Sequence, residues 1–297
     1  MKYIYLIALA IGISMLFASP NYYPSTTLVE SFGSVGCGAC ITSVQGLDIL
    51  DADAHNGELL FSRLYTQSGD YSSPEIDARF SHYEVMGFPS VIFDGKTRVN
   101  GGGEGIADGS QYRAALKKHR HLGSPLKMEV SSFNPSSGAF AGTVQMMSDS
   151  AVVINATLYY YLLEDNVAEG FTYLVRSVQS VPFALTGMGS TESFSTTFNI
   201  NPAWNSANLW ALAFVQIEDN AILQSVSTRS VPEYDLRVAL DWDQHIVGQA
   251  NVTFNSETFW VFNLGVAENF TRRIEVDSAP LGWSFNYCDE DETCYPG

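Results

Sequence analysis

Two periodicities divide the chain. Up to about residue 123, apolar runs of strand length alternate with segments whose apolar positions recur at helical spacing. Beyond it, nearly every run alternates apolar and polar positions. The first regime implies strands covered by helices, the second antiparallel sheet with one buried face. In the first, Leu28-Val29-Glu30-Ser31-Phe32 and Leu59 to Thr66 read as strands, and Cys40, Ile41, Val44, Leu47 and Leu50 mark a helix. Ser73 as N-cap, Pro74 at the first position and Glu75 against the dipole predict a second helix to about Tyr83, with Ile76, Phe80 and Tyr83 on one face. Ser90 to Phe93 is a short strand led by Pro89 and closed by Asp94-Gly95, and Ile106 to Leu122 is the closing helix. Its basic end, Lys117 to His121, suits a helix C-terminus, so His119 and His121 are expected to be solvated.

Gly123-Ser124-Pro125 stops that helix and marks a boundary. The strands that follow, from Leu126, Ala139 and Ala151, are separated by turn-forming clusters, and Leu209 to Ile217 with Ala221 to Val226 is a hairpin turned at Asp219-Asn220. After Pro232, four runs within Asp235 to Val276 alternate again, short of the seven strands of an immunoglobulin-like sandwich. The expected organisation is an export signal over 1–19, an α/β domain over 25–123, a β-sandwich of immunoglobulin-like type over 124–231 and a partial β domain over 232–297. A partial sandwich leaves a sheet edge open, which implies a longer chain or completion by another one.

The apolar run Ile4 to Phe17, after one Lys and before Ala18-Ser19-Pro20, has the form of a cleaved secretory signal, and no later run approaches membrane-spanning length. The periplasm, the outer membrane or the extracellular space is the expected address. Lys and Arg number 15 against 32 Asp and Glu, a net charge of -17 that argues against nucleic acid or an anionic membrane surface as partner. In an oxidising compartment the four cysteines form disulfides. Cys37 with Cys40 and Cys288 with Cys294 is the natural pairing, although four cysteines allow three connectivities.

The chemistry-bearing motif is Cys37-Gly38-Ala39-Cys40, placed where a strand delivers the first Cys to a helix start. Free N–H groups and the helix dipole stabilise a thiolate there. One such pair can also be half of a zinc site or a plain structural disulfide. Pro89, after Gly87-Phe88 and before an apolar β-branched run, stands where a cis bond would bring its loop beside the cysteines. With these residues the stretch from Ser25 to Leu122 resembles the thioredoxin-like superfamily. The resemblance implies Cys37 as attacking thiol, Cys40 as buried resolving thiol, Pro89 as the cis-proline shaping a substrate groove, and Glu30, the one charge on its strand, as a proton shuttle beneath the pair. Gly36 and the Gly-Ala dipeptide depart from the usual pattern, which leaves potential and direction open.

The order of export signal, thioredoxin-like domain and β-domain, with Trp204 leading into Leu209 to Val226, resembles the outer-membrane-protein-28-related family of bacterial envelope proteins. Two readings follow. In one, the chain is a thiol-disulfide oxidoreductase acting on protein thiols or disulfides, an envelope protein being the partner the resemblance implies. In the other, it is a binding or structural protein with an idle disulfide. No cofactor motif is present. The acidic run Asp289 to Glu292 lacks the glycine and alternation of a calcium loop, so no metal is expected. The sequons at Asn155, Asn251 and Asn269 mark exposed positions only where a host glycosylates.

Overall fold

The computed structural model describes residues 22–53, 57–66, 71–102, 108–119, 122–149, 151–167, 172–239, 260–266, 281–282, 284, 286–288 and 294–296. The proposed signal, 1–19, lies outside them, as do Asn251, Asn269, His121 and Asp289 to Glu292. The first part runs β1 (Tyr23–Pro24), β2 (Thr27–Ser34), α1 (Gly38–Asp53), β3 (Leu59–Thr66), α2 (Pro74–His82), β4 (Ser90–Phe93), β5 (Thr97–Asn100), α3 (Ser110–Leu116) and β6 (Gly123–Ser124). A run of strands follows: β7 (Leu126–Phe133), β8 (Ala139–Met146), β9 (Val152–Glu164), β10 (Leu174–Thr186), β11 (Thr191–Thr197), β12 (Leu209–Gln216) and β13 (Ile222–Ser227). Near the end come β14 (Leu236–Ala239), β15 (Trp260–Asn263), β16 (Asn286–Cys288) and β17 (Cys294–Pro296).

β2 pairs in parallel with β3 and antiparallel with β4, which pairs with β5. β3 does not end the sheet. Leu174 of β10 stands opposite Arg63 in a parallel bridge, and β9, β12 and β13 continue antiparallel from β10. One eight-stranded sheet results, in the order β13-β12-β9-β10-β3-β2-β4-β5.

That order corrects the expected fold class. The chain is mostly β, and a separate α/β thioredoxin-like domain followed by an immunoglobulin-like sandwich does not form, because strands from both periodic regimes share one ladder. The physical reason is an edge. β3, buried along nearly its whole length, would otherwise present unpaired backbone groups on the side away from β2, and β10 begins to satisfy them: Arg63 N–H donates to Tyr173 O at 2.8 Å.

Strand alternation assigns the faces. Leu28 and Phe32 of β2 pack with Ile76 and Phe80 of α2 and with Tyr161, Leu163, Leu212 and Phe214 of β9 and β12. Val29 packs on the other face, with Leu47 and Leu50 of α1 and Ala115 and Leu116 of α3. Farther along the sheet, Leu158, Leu162, Ala211 and Ala213 meet Met128, Phe140 and Val144 from the three-stranded sheet β11-β8-β7. A two-layer β arrangement therefore exists, but one of its layers is the sheet that also carries the helices.

The ends of the sheet meet across α2. Ile222 N–H donates to Asp94 O at 3.0 Å, and Lys96 Nζ lies 3.1 Å from Asp219 Oδ2, so the β12–β13 turn sits on the β4–β5 turn. The α2 start is as expected, with the Ser73 hydroxyl accepting Ile76 N–H. His119 is not solvated. It is buried, with Nδ1 3.3 Å from Asp94 Oδ2 and Nε2 2.9 Å from Thr97 Oγ1.

Asp94 itself accepts Leu28 N–H at 2.8 Å, and burial raises its carboxyl above the usual range against the opposing hydrogen bond from His119. A raised folded-state value gives a contribution present below the unfolded value near 3.8 and lost as pH rises through the folded one. Urea midpoints across that acid range should therefore fall more with rising pH in the wild type than in Asp94→Asn. Parallel profiles would contradict this.

In the C-terminal part, β14 and β15 pair with each other, and the Phe262 ring meets Tyr23 edge-on at 5.3 Å. Arg237 binds Asp235 at 2.6 Å and the Thr26 hydroxyl at 3.1 Å. β16 and β17 set Cys288 opposite Cys294 in register.

Candidate functional site: the Cys37–Cys40 pair

β2 ends at Ser34, and the chain turns through Val35 and Gly36 into Cys37. Gly36 has φ +82°, the left-handed region that a residue with a Cβ enters only at a cost, so a glycine rather than an aromatic precedes the cysteine. Cys37 caps α1. Its sulfur accepts Cys40 N–H at 3.2 Å and its carbonyl accepts the same N–H at 3.1 Å. Cys37 and Cys40 are joined in a disulfide, Cys37 half-buried and Cys40 buried at 7 % exposure. Val35 and Ile41, on either side of the pair, are exposed.

The Phe88–Pro89 peptide bond is cis. Pro89 is buried, and its carbonyl accepts Gly101 N–H at 2.8 Å. The next residue, Gly102, lies on the loop between the cysteines, where a Cβ would come 2.4 Å from Ala39 O. Pro89 is thus linked to the Cys37–Cys40 loop through the end of β5.

Among solved structures, HBP35 of Porphyromonas gingivalis matches with a TM-score of 0.55 over 84 % of this chain and 87 % of that one, at 12 % identity. The chain shares the fold of HBP35. At that identity the likeness to HBP35 concerns fold alone, and its extent agrees with a sheet running through both halves. A domain of the outer membrane lipoprotein Omp28 from Porphyromonas gingivalis matches at 12 % identity over 35 % of this chain and 86 % of that one, with a TM-score of 0.27. A β-glucosidase from Kluyveromyces marxianus matches at 15 % identity over 39 % and 16 %, with a TM-score of 0.23. No protein-family model and no curated relative matches the chain.

Glu30 is not brought to the cysteines. It lies on the α2 face of β2, whereas α1 covers the opposite face. It is fully buried, and both carboxylate oxygens are engaged: Arg79 Nη2 donates at 2.9 and 2.8 Å, the Tyr83 hydroxyl at 2.7 Å and the Tyr161 hydroxyl at 2.6 Å. Arg79 continues to Gln216 Oε1 at 2.8 Å and stacks on the Tyr159 ring at 4.4 Å. Burial drives the Tyr83 and Tyr161 hydroxyls far above the usual phenol range, so both remain donors. This network joins β2, α2, β9 and β12.

Sequence reasoning missed Arg79, although it completes the spacing Ile76, Arg79, Phe80, Tyr83 as the one charge on an apolar helix stripe. It also missed Arg63, a buried cation on the α1 face. Among the described residues, no group of three or more His, Cys, Asp or Glu side chains could hold a metal ion, and no helix is long and apolar enough to cross a membrane.

Proposed function

We propose that Cys37–Cys40 is an exchangeable disulfide acting on protein thiols or disulfides in the cell envelope or outside the cell. The reading is carried by the asymmetry of the pair: a half-buried cysteine at a helix N-cap, its sulfur accepting a backbone N–H, next to a buried cysteine. On reduction, the N-cap position and the N-terminus of the 16-residue α1 favour charge on Cys37. The Cys37 thiolate attacks a partner disulfide, and one partner sulfur leaves as a thiolate and takes up a proton. Cys40 then loses its proton and attacks the Cys37 sulfur, releasing the second partner thiol; the partner gains two electrons and the pair is oxidised. Pro89 is tied to the Cys37–Cys40 loop through Gly101 and Gly102, and exposed Val35 and Ile41, next to the pair in the chain, offer apolar contact for a polypeptide. Export by residues 1–19 would place the pair where such partners occur.

A second reading, a purely structural staple, is favoured by the burial of Cys40. Equilibration against glutathione and dithiothreitol series separates the two. Exchange is expected within the glutathione range, with a small alkylating reagent modifying Cys37 first after mild reduction. A potential below about -300 mV marks a structural disulfide, and preferential labelling of Cys40 would reverse the assigned roles.

A further inference from the structure

The wall behind Cys40 is built by β2 and β3. Gly33 and Tyr65 are register partners, and a Cβ on Gly33 would lie 3.4 Å from both Cys40 Sγ and Tyr65 Cε1, so sulfur and ring both border the space over the glycine. One pleat back on the same face, Ser31 pairs with Arg63. Arg63 is 2 % exposed. Its Nη2 lies 2.6 Å from Asp48 Oδ1, and its Nη1 donates to Thr172 O at 3.3 Å and to Thr172 Oγ1 at 3.0 Å. Its Nε, also buried, has no acceptor among the described residues. Asp48 belongs to α1, two turns beyond Cys40, and its side chain is 53 % exposed.

We propose that Arg63 and Asp48 are positioning residues that set the reduction potential of Cys37–Cys40 by opposed charge, Arg63 favouring the reduced pair and Asp48 opposing it. This rests on the exchange reading above. Reduction converts one disulfide and two glutathione thiols into a dithiol and oxidised glutathione. It takes up two electrons and places negative charge on whichever protein sulfur is ionised, so a nearby cation favours the reduced side and an anion the oxidised side. The two charges do not cancel. Arg63 is shielded from water while Asp48 is half in it, and solvent weakens the field of the exposed partner more. The Tyr65 hydroxyl, on the register partner of Gly33, lies in the field of both charges: burial is the main cause of its raised pKa, Arg63 works against that rise and Asp48 adds to it.

The test is the glutathione equilibrium constant for reduction, measured on the full chain for the wild type, Arg63→Met, Arg63→Lys and Asp48→Asn, with circular dichroism confirming fold. Arg63→Met should lower the constant by roughly three- to tenfold, tenfold being about 30 mV. Asp48→Asn should raise it, and Arg63→Lys should stay within about twofold of the wild type. A structural clamp alone would move Arg63→Met and Asp48→Asn in the same direction, since each breaks the same ion pair; that outcome, or an unchanged Asp48→Asn, overturns the proposal. If Arg63→Met does not fold, Asp48→Asn and Arg63→Lys still decide. A wild-type pair reduced only by dithiothreitol defeats the exchange reading, while the opposed shifts are still measured in the dithiothreitol series.

Discussion

Glu30→Gln should lower the unfolding free energy by about 3–5 kcal/mol, the range for removing one partner of a buried ion pair. The amide is nearly isosteric, but its single oxygen replaces only one of the two carboxylate oxygens that accept from Tyr83 and Tyr161, and Arg79 would keep its charge inside the sheet without a counter-charge. The cost lies in that stranded cation more than in lost hydrogen bonds. Glu30→Leu combined with Arg79→Met removes both charges and should be less destabilised than Glu30→Gln, although the two tyrosine hydroxyls then lose an acceptor. Urea denaturation measures all three proteins. A Glu30→Gln loss below about 1 kcal/mol would mean that water reaches Arg79. Because Glu30 faces away from α1, the folded Glu30→Gln protein should keep the wild-type pH profile of Cys40 alkylation, measured in the Cys37→Ser background. A proton-shuttle role would displace that profile.

The position of Glu30 also shows where sequence reasoning runs out. Val29 and Phe32 are both buried although their parities differ, since β2 is covered on both faces and alternation then carries no signal about which side a polar residue takes. Only the partner reveals it, and Arg79 was legible as the misfit in the α2 stripe. Local grammar located elements well: Ser73 caps α2, and β12 and β13 form the hairpin turned at Asp219-Asn220. Neighbour choice was not legible. Whether β3 stops a sheet or pairs onward with β10 depends on contacts more than a hundred residues apart in the chain, such as Arg63 with Thr172 and Tyr173. The same holds for His119, whose basic neighbours suggest solvent but whose ring is claimed by Asp94 and Thr97.

Sheet closure makes the second large prediction, Gly95→Ala. Gly95 has φ +71°, and a Cβ there would lie 1.7 Å from the Asn220 carbonyl oxygen, a backbone atom of the β12–β13 turn that cannot swing aside as a side chain would. Gly187 has φ +85° with nothing within 4 Å of its Cβ position, so Gly187→Ala bears the left-handed strain without the collision. Gly187→Ala should therefore cost about 1–2 kcal/mol, and Gly95→Ala about 1–3 kcal/mol more. The excess measures the contact between the two ends of the sheet. Since Ile222 N–H donates to Asp94 O beside that contact, separating the turns also strips a hydrogen bond from β13. If helices and strands share one cooperative sheet, far-ultraviolet dichroism and tyrosine fluorescence should shift together to lower urea in Gly95→Ala, with a single transition. A Gly95→Ala protein no less stable than Gly187→Ala, or one that unfolds in two steps at the wild-type midpoint for the first, would show that the ends of the sheet are not coupled through this turn.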